Sequence, residues 1–193
     1  MKAILFKPRT DRKKEIDFFK FLMEKLECYD HINENFLLSK DFLNKPLCIS
    51  KVIKALELNN TISTKKRLKT IEALSILPDQ IIVARKIEEV SVDFTIKKDN
   101  QIHFIEFHES QHRYLSVSRP TSIYSLDNNK YQVPRFTQRL LKDIWRWENL
   151  PNYKIVWWDW FDKNKMKLNV EELLSNNKME YYTNGKFSFS TTF

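Results

Sequence analysis

Between residues 11 and 27 the side chains of Ile16, Phe19, Leu22, Met23 and Leu26 recur three and four positions apart, with lysines and acids between them. That spacing predicts an amphipathic helix. Residues 49–58 and 63–75 predict two shorter helices separated by the polar break Asn59, Asn60 and Thr61, with Ser63 or Thr64 as N-cap of the second. After Pro78 the period changes to alternation: residues 80–87, 90–98 and 101–109 are strand candidates rich in β-branched and aromatic residues. A polar stretch follows over 110–133, read as a loop. A helix then opens at Pro134 and stops at Leu150–Pro151. Residues 154–161, KIVWWDWF, predict a strand whose tryptophans pack in a core, and residues 170–175 a short helix. YYT-NG-KFSFS reads as a hairpin with Asn184–Gly185 as a type I′ turn.

These elements predict an α/β (α+β) fold with a mixed central sheet flanked by helices. Residues 1–76 would form an N-terminal helical region, with a helix-turn-helix at 49–75, and residues 77–193 a sheet core with a C-terminal hairpin, the two making one compact unit.

Composition narrows the chemistry. The chain of 193 residues has one glycine, Gly185, so glycine-rich phosphate loops of the P-loop and dinucleotide types are excluded. Hydrophobic residues at 42% and charged residues at 30% support a folded core, and no run approaches the ~20 apolar residues of a membrane span. Cys28 and Cys48 are too few for a disulfide framework, and the N-terminal apolar run is too short for a signal peptide, so a cytoplasmic protein is expected. Lys and Arg total 33 against 25 acids, a formal charge of +8. The surplus attracts polyanions and is spread over the chain: 16 bases against 11 acids in residues 1–80, and 17 against 14 in residues 81–193.

The strands at 90–98 and 101–109 flank Asp99–Asn100. If those two residues form the turn, paired positions sum to 199 and Asp93 lies opposite Glu106. Val92, Phe94, Ile96, His103, Ile105 and Phe107 then share a largely apolar face, while Ser91, Asp93, Thr95, Phe104, Glu106 and His108 share the other. Opposed carboxylates repel at Cβ separations of about 4.5–5.5 Å, and a divalent cation compensates. Mg²⁺ suits the pair because it takes hard oxygen ligands. His108 projects to the same face as Glu106, and Glu109 to the opposite one.

The order helix, strand, strand with an acid near its start, strand bearing E-x-K, helix, strand over roughly residues 63–161 resembles the PD-(D/E)xK nuclease superfamily, which includes many type II restriction endonucleases. Asp93 matches the strand-borne acid, and Glu106 and His108 the E-x-K positions of FIEFHE, with His in place of the usual Lys. The resemblance implies an αβββαβ core and Mg²⁺-dependent, sequence-specific hydrolysis of double-stranded DNA by a homodimer. Asp93, Glu106 and the Phe107 carbonyl would be the metal ligands, with Asp93, Glu106 and His108 as catalytic residues. His108 would accept the water's proton or donate to the phosphate. Transposition and repair nucleases of the same fold share these expectations.

Residues 108–112, HESQH, also match the zinc pattern H-E-x-x-H, whose chemistry requires a helix so that His108 and His112 converge on Zn²⁺ while Glu109 acts as base. Glu148 would then serve as third ligand. A zinc-dependent hydrolase is therefore the alternative enzyme reading, and a non-catalytic DNA-binding protein the alternative outside catalysis.

Candidate DNA contacts fall in three places. Lys65, Lys66 and Arg67 open the second helix of the helix-turn-helix. Arg113, Tyr114, Arg119, Asn128, Asn129 and Lys130 lie in the polar stretch. Arg135, Arg139, Lys142 and Arg146 form a basic stripe beside the apolar stripe of Phe136, Leu140, Ile144 and Trp147.

Overall fold

The computed structural model describes residues 3–6, 12–27, 31–32, 44–58, 62–83, 85–86, 91–108, 119–175 and 181–182. Within them the fold is mixed α and β, with two sheets and six helices. The chain divides into two compact units that are interleaved in sequence, unlike a single cut near residue 76. The first comprises residues 1–37, 91–110 and 150–184, the second residues 38–90, 111–149 and 185–193.

The first unit is built on a six-stranded sheet, with strands β1 (Ile4–Phe6), β2 (His31–Ile32), β5 (Phe94–Lys98), β6 (Gln101–His108), β9 (Tyr153–Trp157) and β10 (Tyr181–Tyr182) in the order β10-β9-β6-β5-β1-β2. The β5–β6 hairpin has the predicted register, pairing Phe94 with Ile105 and Lys98 with Gln101. Asp99 and Asn100 take φ values of 48° and 63° between them, the left-handed conformations that a type I′ turn requires. β1 runs antiparallel to β5, and β9 parallel to β6.

One face of this sheet packs against α1 (Lys13–Lys25), α5 (Trp158–Asn164) and α6 (Val170–Ser175), with a 3₁₀ turn at Lys165–Lys167 between the last two. Phe18 is at its centre: its ring stacks on Phe107 at 4.7 Å and meets Phe94 and Phe161 edge-on at 5.2 and 4.9 Å. Phe18 recurs with Phe21 and Leu22 at helical spacing on α1, so an amphipathic period and a strand period meet in one apolar layer.

The second unit holds a four-stranded antiparallel sheet in the order β3-β4-β7-β8, formed by β3 (Pro46–Cys48), β4 (Gln80–Ile82), β7 (Pro120–Ser125) and β8 (Lys130–Pro134). Its helices are α2 (Ile49–Leu58), α3 (Thr64–Ser75) and α4 (Arg135–Asn149). Asp79 caps α2 from a distance in sequence: its carboxylate accepts the Ser50 N–H at 2.9 Å, and its carbonyl the Ile49 N–H at 2.7 Å. That hydrogen bond to the backbone holds the Asp79 carboxyl below its ordinary pKa. Ser63 occupies the N-cap position of α3 without a side-chain cap bond. Trp145 of α4 is fully buried, and its indole N–H donates to the Lys45 carbonyl at 3.0 Å.

Four expectations from sequence change. The strand beside β5 is β1, from the start of the chain, and β4 belongs to the other sheet. β4 itself ends at Ile82, and Val83, Arg85 and Lys86 bend away. The stretch read as a loop over 110–133 contains the β7–β8 hairpin, because Ile123 and Val133 alternate inward around a turn in which Asn128 takes φ 64°. The strand expected over 154–161 stops at Trp157; Trp158 and Phe161 are one helical turn apart on α5, both against Phe107. Of the C-terminal hairpin, Tyr181 and Tyr182 pair in parallel with β9, and residues 183–190 lie outside the described residues.

Candidate active site

The last paired residues of the β5–β6 ladder are Phe94 and Ile105, and Asp93 forms a bend one residue before β5. Continuing the register sets Asp93 at the position opposite Glu106. Asp93 also reaches across: its Oδ2 accepts a hydrogen bond of 2.8 Å from the backbone N–H of Phe107. A residue's N–H and C=O leave a strand toward the same neighbour, so the Phe107 carbonyl is directed to the side on which Asp93 sits.

Glu106 is 3% exposed and His108 2% exposed, both on the sheet face opposite Phe107. His108 meets the Trp157 ring edge-on at 4.9 Å. Trp157 is its direct neighbour in the parallel β6–β9 ladder. Asp93, Glu106, Phe107 and His108 therefore gather at one end of one hairpin, as their sequence spacing predicts. Asp93, at the bend, is half-buried, whereas the two strand residues are buried.

The donor set fits a hard cation through its chemistry. Two carboxylates and one backbone carbonyl are all oxygen donors, and Mg²⁺ commonly completes such sets with water or phosphate oxygens. Among the described residues no group of three or more His, Cys, Asp or Glu side chains forms a metal cluster. His108 is a strand residue of β6, whereas H-E-x-x-H chemistry requires a helix at that position. Glu109, Ser110, Gln111 and His112 lie outside the described residues, and Glu148 is exposed near the end of α4 in the second unit.

The opposite face of the same sheet carries a second polar group that sequence reading assigned to no site. His103 is 3% exposed and Lys154 1% exposed, and the β6–β9 register puts Lys154 beside Ile105. Burial, then the charges of Lys154 and Lys98, lower the His103 pKa, which keeps the imidazole neutral. Lys98 is itself ion-paired to Glu171 of α6.

The residues read as DNA contacts separate into two groups in the second unit. Some are committed to packing. Lys66 lies 4.6 Å from the Phe136 ring centroid, and burial lowers its pKa. On α4, Arg146 and Asp143 are buried with a 3.2 Å ion pair, and Arg139 approaches the same carboxylate at 3.9 Å. The basic stripe thus converges partly on an internal acid, because Asp143 lies one turn from each arginine. Arg67 and Lys142 are half-buried.

Others remain at the surface: Lys65 on α3, Asn128, Asn129 and Lys130 at the β7–β8 turn, and Arg119 and Arg135 at the other end of that hairpin. Arg113 and Tyr114 lie outside the described residues. Two half-buried residues not singled out in sequence, Arg85 and Tyr124, adjoin this group. Arg85 lies 3.7 Å above the Tyr124 ring centroid and donates a hydrogen bond to Asn128 Oδ1. The signal for them was the alternation of Thr121, Ile123 and Ser125 with Tyr131 and Val133 around Asp127–Asn128–Asn129, masked by the polar residues between. Comparison with protein-family models, with curated proteins and with solved structures finds no match.

Proposed function

We propose that the protein is a Mg²⁺-dependent endonuclease that hydrolyses phosphodiester bonds of double-stranded DNA, with the PD-(D/E)xK type of active site. The observation that carries the reading is the hydrogen bond from the Phe107 N–H to Asp93, which ties the acid before β5 to the strand bearing Glu106 and His108. The strand order β1-β5-β6-β9, two antiparallel steps followed by a parallel one, also supports it, with both acids at the same end of the central β5–β6 hairpin.

Asp93, Glu106 and the Phe107 carbonyl would hold the cation. Bound Mg²⁺ supplies Lewis-acid polarisation of the phosphate and activation of water. The protein's own part is to fix two acids and one carbonyl on paired strands, so that no reorganisation is required at the moment of reaction. Burial of Glu106 keeps its carboxylate out of bulk water, which strengthens its pull on a cation. His108 follows Glu106 on the same face, where an imidazole would accept the water's proton or donate to the phosphate. A homodimer with two-fold symmetry would supply two such sites, one for each strand of a duplex.

Incubation of the protein with mixed-sequence plasmid DNA and Mg²⁺ tests the reading. Discrete fragments are expected, and their loss in both Asp93→Ala and Glu106→Ala. Intact plasmid under every divalent cation, or undiminished cutting by either variant, sinks the assignment.

A further inference from the structure

We propose that the outer face of the β7–β8 hairpin is a docking surface for duplex DNA, organised by Arg85. Strand alternation puts Ser122, Tyr124, Lys130 and Gln132 on the face opposite the buried Ile123 and Val133. Tyr124 pairs with Lys130, and Gln132 Nε2 donates across the ladder to Ser122 Oγ at 3.3 Å. Arg85 arrives from a bend elsewhere in the chain and is held by the Tyr124 ring beneath it and by Asn128 beside it. Such a clamp removes most of the rotamer freedom that an arginine otherwise loses on binding an anion.

The charge of this hairpin and its two ends is mostly positive. Over residues 119–135 the bases are Arg119, Lys130 and Arg135, and the only acid is Asp127. The Arg135 N–H donates to the Arg119 carbonyl at 2.8 Å, so these two stand together at one end of the hairpin. Arg85 and Lys130 mark the other end. From the Pro120–Pro134 pair to the Tyr124–Lys130 pair is four strand steps, about 13 Å. That length matches the roughly 12 Å width of the B-DNA major groove, so basic groups at the two ends meet phosphates on both of its walls. A-form RNA, with its deep and narrow major groove, offers no such match.

The proposal involves neither Asp93 nor Glu106 and does not depend on the nuclease reading. The experiment is fluorescence anisotropy of the full chain with a labelled mixed-sequence DNA duplex, in EDTA, over a salt series. Arg85→Gln is expected to weaken binding about ten-fold, and Lys130→Gln to lower the slope of log affinity against log salt by about one. Lys163→Gln, an exposed lysine in the other unit, should bind as the parent does. Lys130 is exposed, so its variant reads binding even if Arg85→Gln disturbs the hairpin. Failure of the parent to bind duplex DNA, tighter binding to duplex RNA, or parental behaviour of both variants overturns the proposal. Duplex binding that both variants reduce, with no Mg²⁺-dependent cutting by the parent, supports this surface and refutes only the nuclease reading.

Discussion

The Phe107 N–H donates to Asp93 Oδ2 at 2.8 Å, joining the bend before β5 to the middle of the Glu106–Phe107–His108 run on β6. The bond serves structure and proposed chemistry at once. It satisfies a backbone donor where the β5–β6 ladder stops, and it holds the acid against the strand that carries its partner.

That double role separates two substitutions. Asp93→Asn keeps an oxygen acceptor for the Phe107 N–H but removes the charge, so the variant should fold normally and lose Mg²⁺-dependent cutting. Asp93→Ala leaves the donor without its acceptor and should also cost about 1–3 kcal/mol of stability. Urea unfolding and plasmid cleavage on both variants read the two effects; parental cleavage by Asp93→Asn removes the carboxylate from the mechanism.

His108 packs edge-on against Trp157, which makes a purely structural role a definite competitor. His108→Phe preserves an aromatic ring at that contact and removes the proton-transfer group. Cleavage should fall by about 10²–10⁴ in this variant with little change in melting temperature. Full activity in His108→Phe would mean that the ring only packs.

Asp143 is flanked by Arg139 and Arg146 on α4, and the Arg146 pair is buried. Replacing Asp143 with Leu leaves a buried guanidinium without its carboxylate, at a cost of about 3–5 kcal/mol in chemical denaturation. The double variant Asp143→Leu with Arg146→Met should recover most of that loss. An Asp143→Leu protein as stable as the parent would show that Arg146 is solvated after all.

His103 carries a pH dependence whose sign follows from its neighbours. Burial, Lys154 of β9 and Lys98 of β5 depress its folded-state pKa below the ordinary 6.5, while Glu171 of α6 is paired to Lys98. The unfolded chain therefore binds the proton more readily. Stability from this group is fully present above about pH 6.5 and is lost as the pH falls from there toward the depressed folded-state value. In urea titrations between neutral and mildly acid pH, His103→Leu should show a shallower loss than the parent. An identical pH profile in the two proteins would contradict the assignment.

The local elements were legible because each carries its own period. The apolar spacing of α1 was readable without partners, and so was the Asp99–Asn100 turn that fixes the β5–β6 register. From that register the sharing of one sheet end by Asp93, Glu106 and His108 follows directly. The β7–β8 hairpin was hidden because only one of its faces is buried and its strands are rich in Ser, Tyr, Lys and Gln. The helix of Trp158 and Phe161 was hidden for the opposite reason: four aromatic residues in KIVWWDWF suit a strand, and only packing on Phe107 and Phe21 selects the helix.

The sequence by itself determined the amphipathic helices, the β5–β6 register set by a two-residue Asp99–Asn100 turn, and a basic chain without glycine-built phosphate loops. These follow from side-chain periodicity and turn chemistry, which act over a few residues. Tertiary structure alone decided that β1 rather than β4 borders β5, and that the chain forms two interleaved units. It also decided that Arg146 turns to Asp143, and that Arg85 reaches Tyr124 and Asn128. Such choices depend on which strand edges and charges meet across long stretches of chain, and a pairing energy between distant segments leaves no period in the sequence.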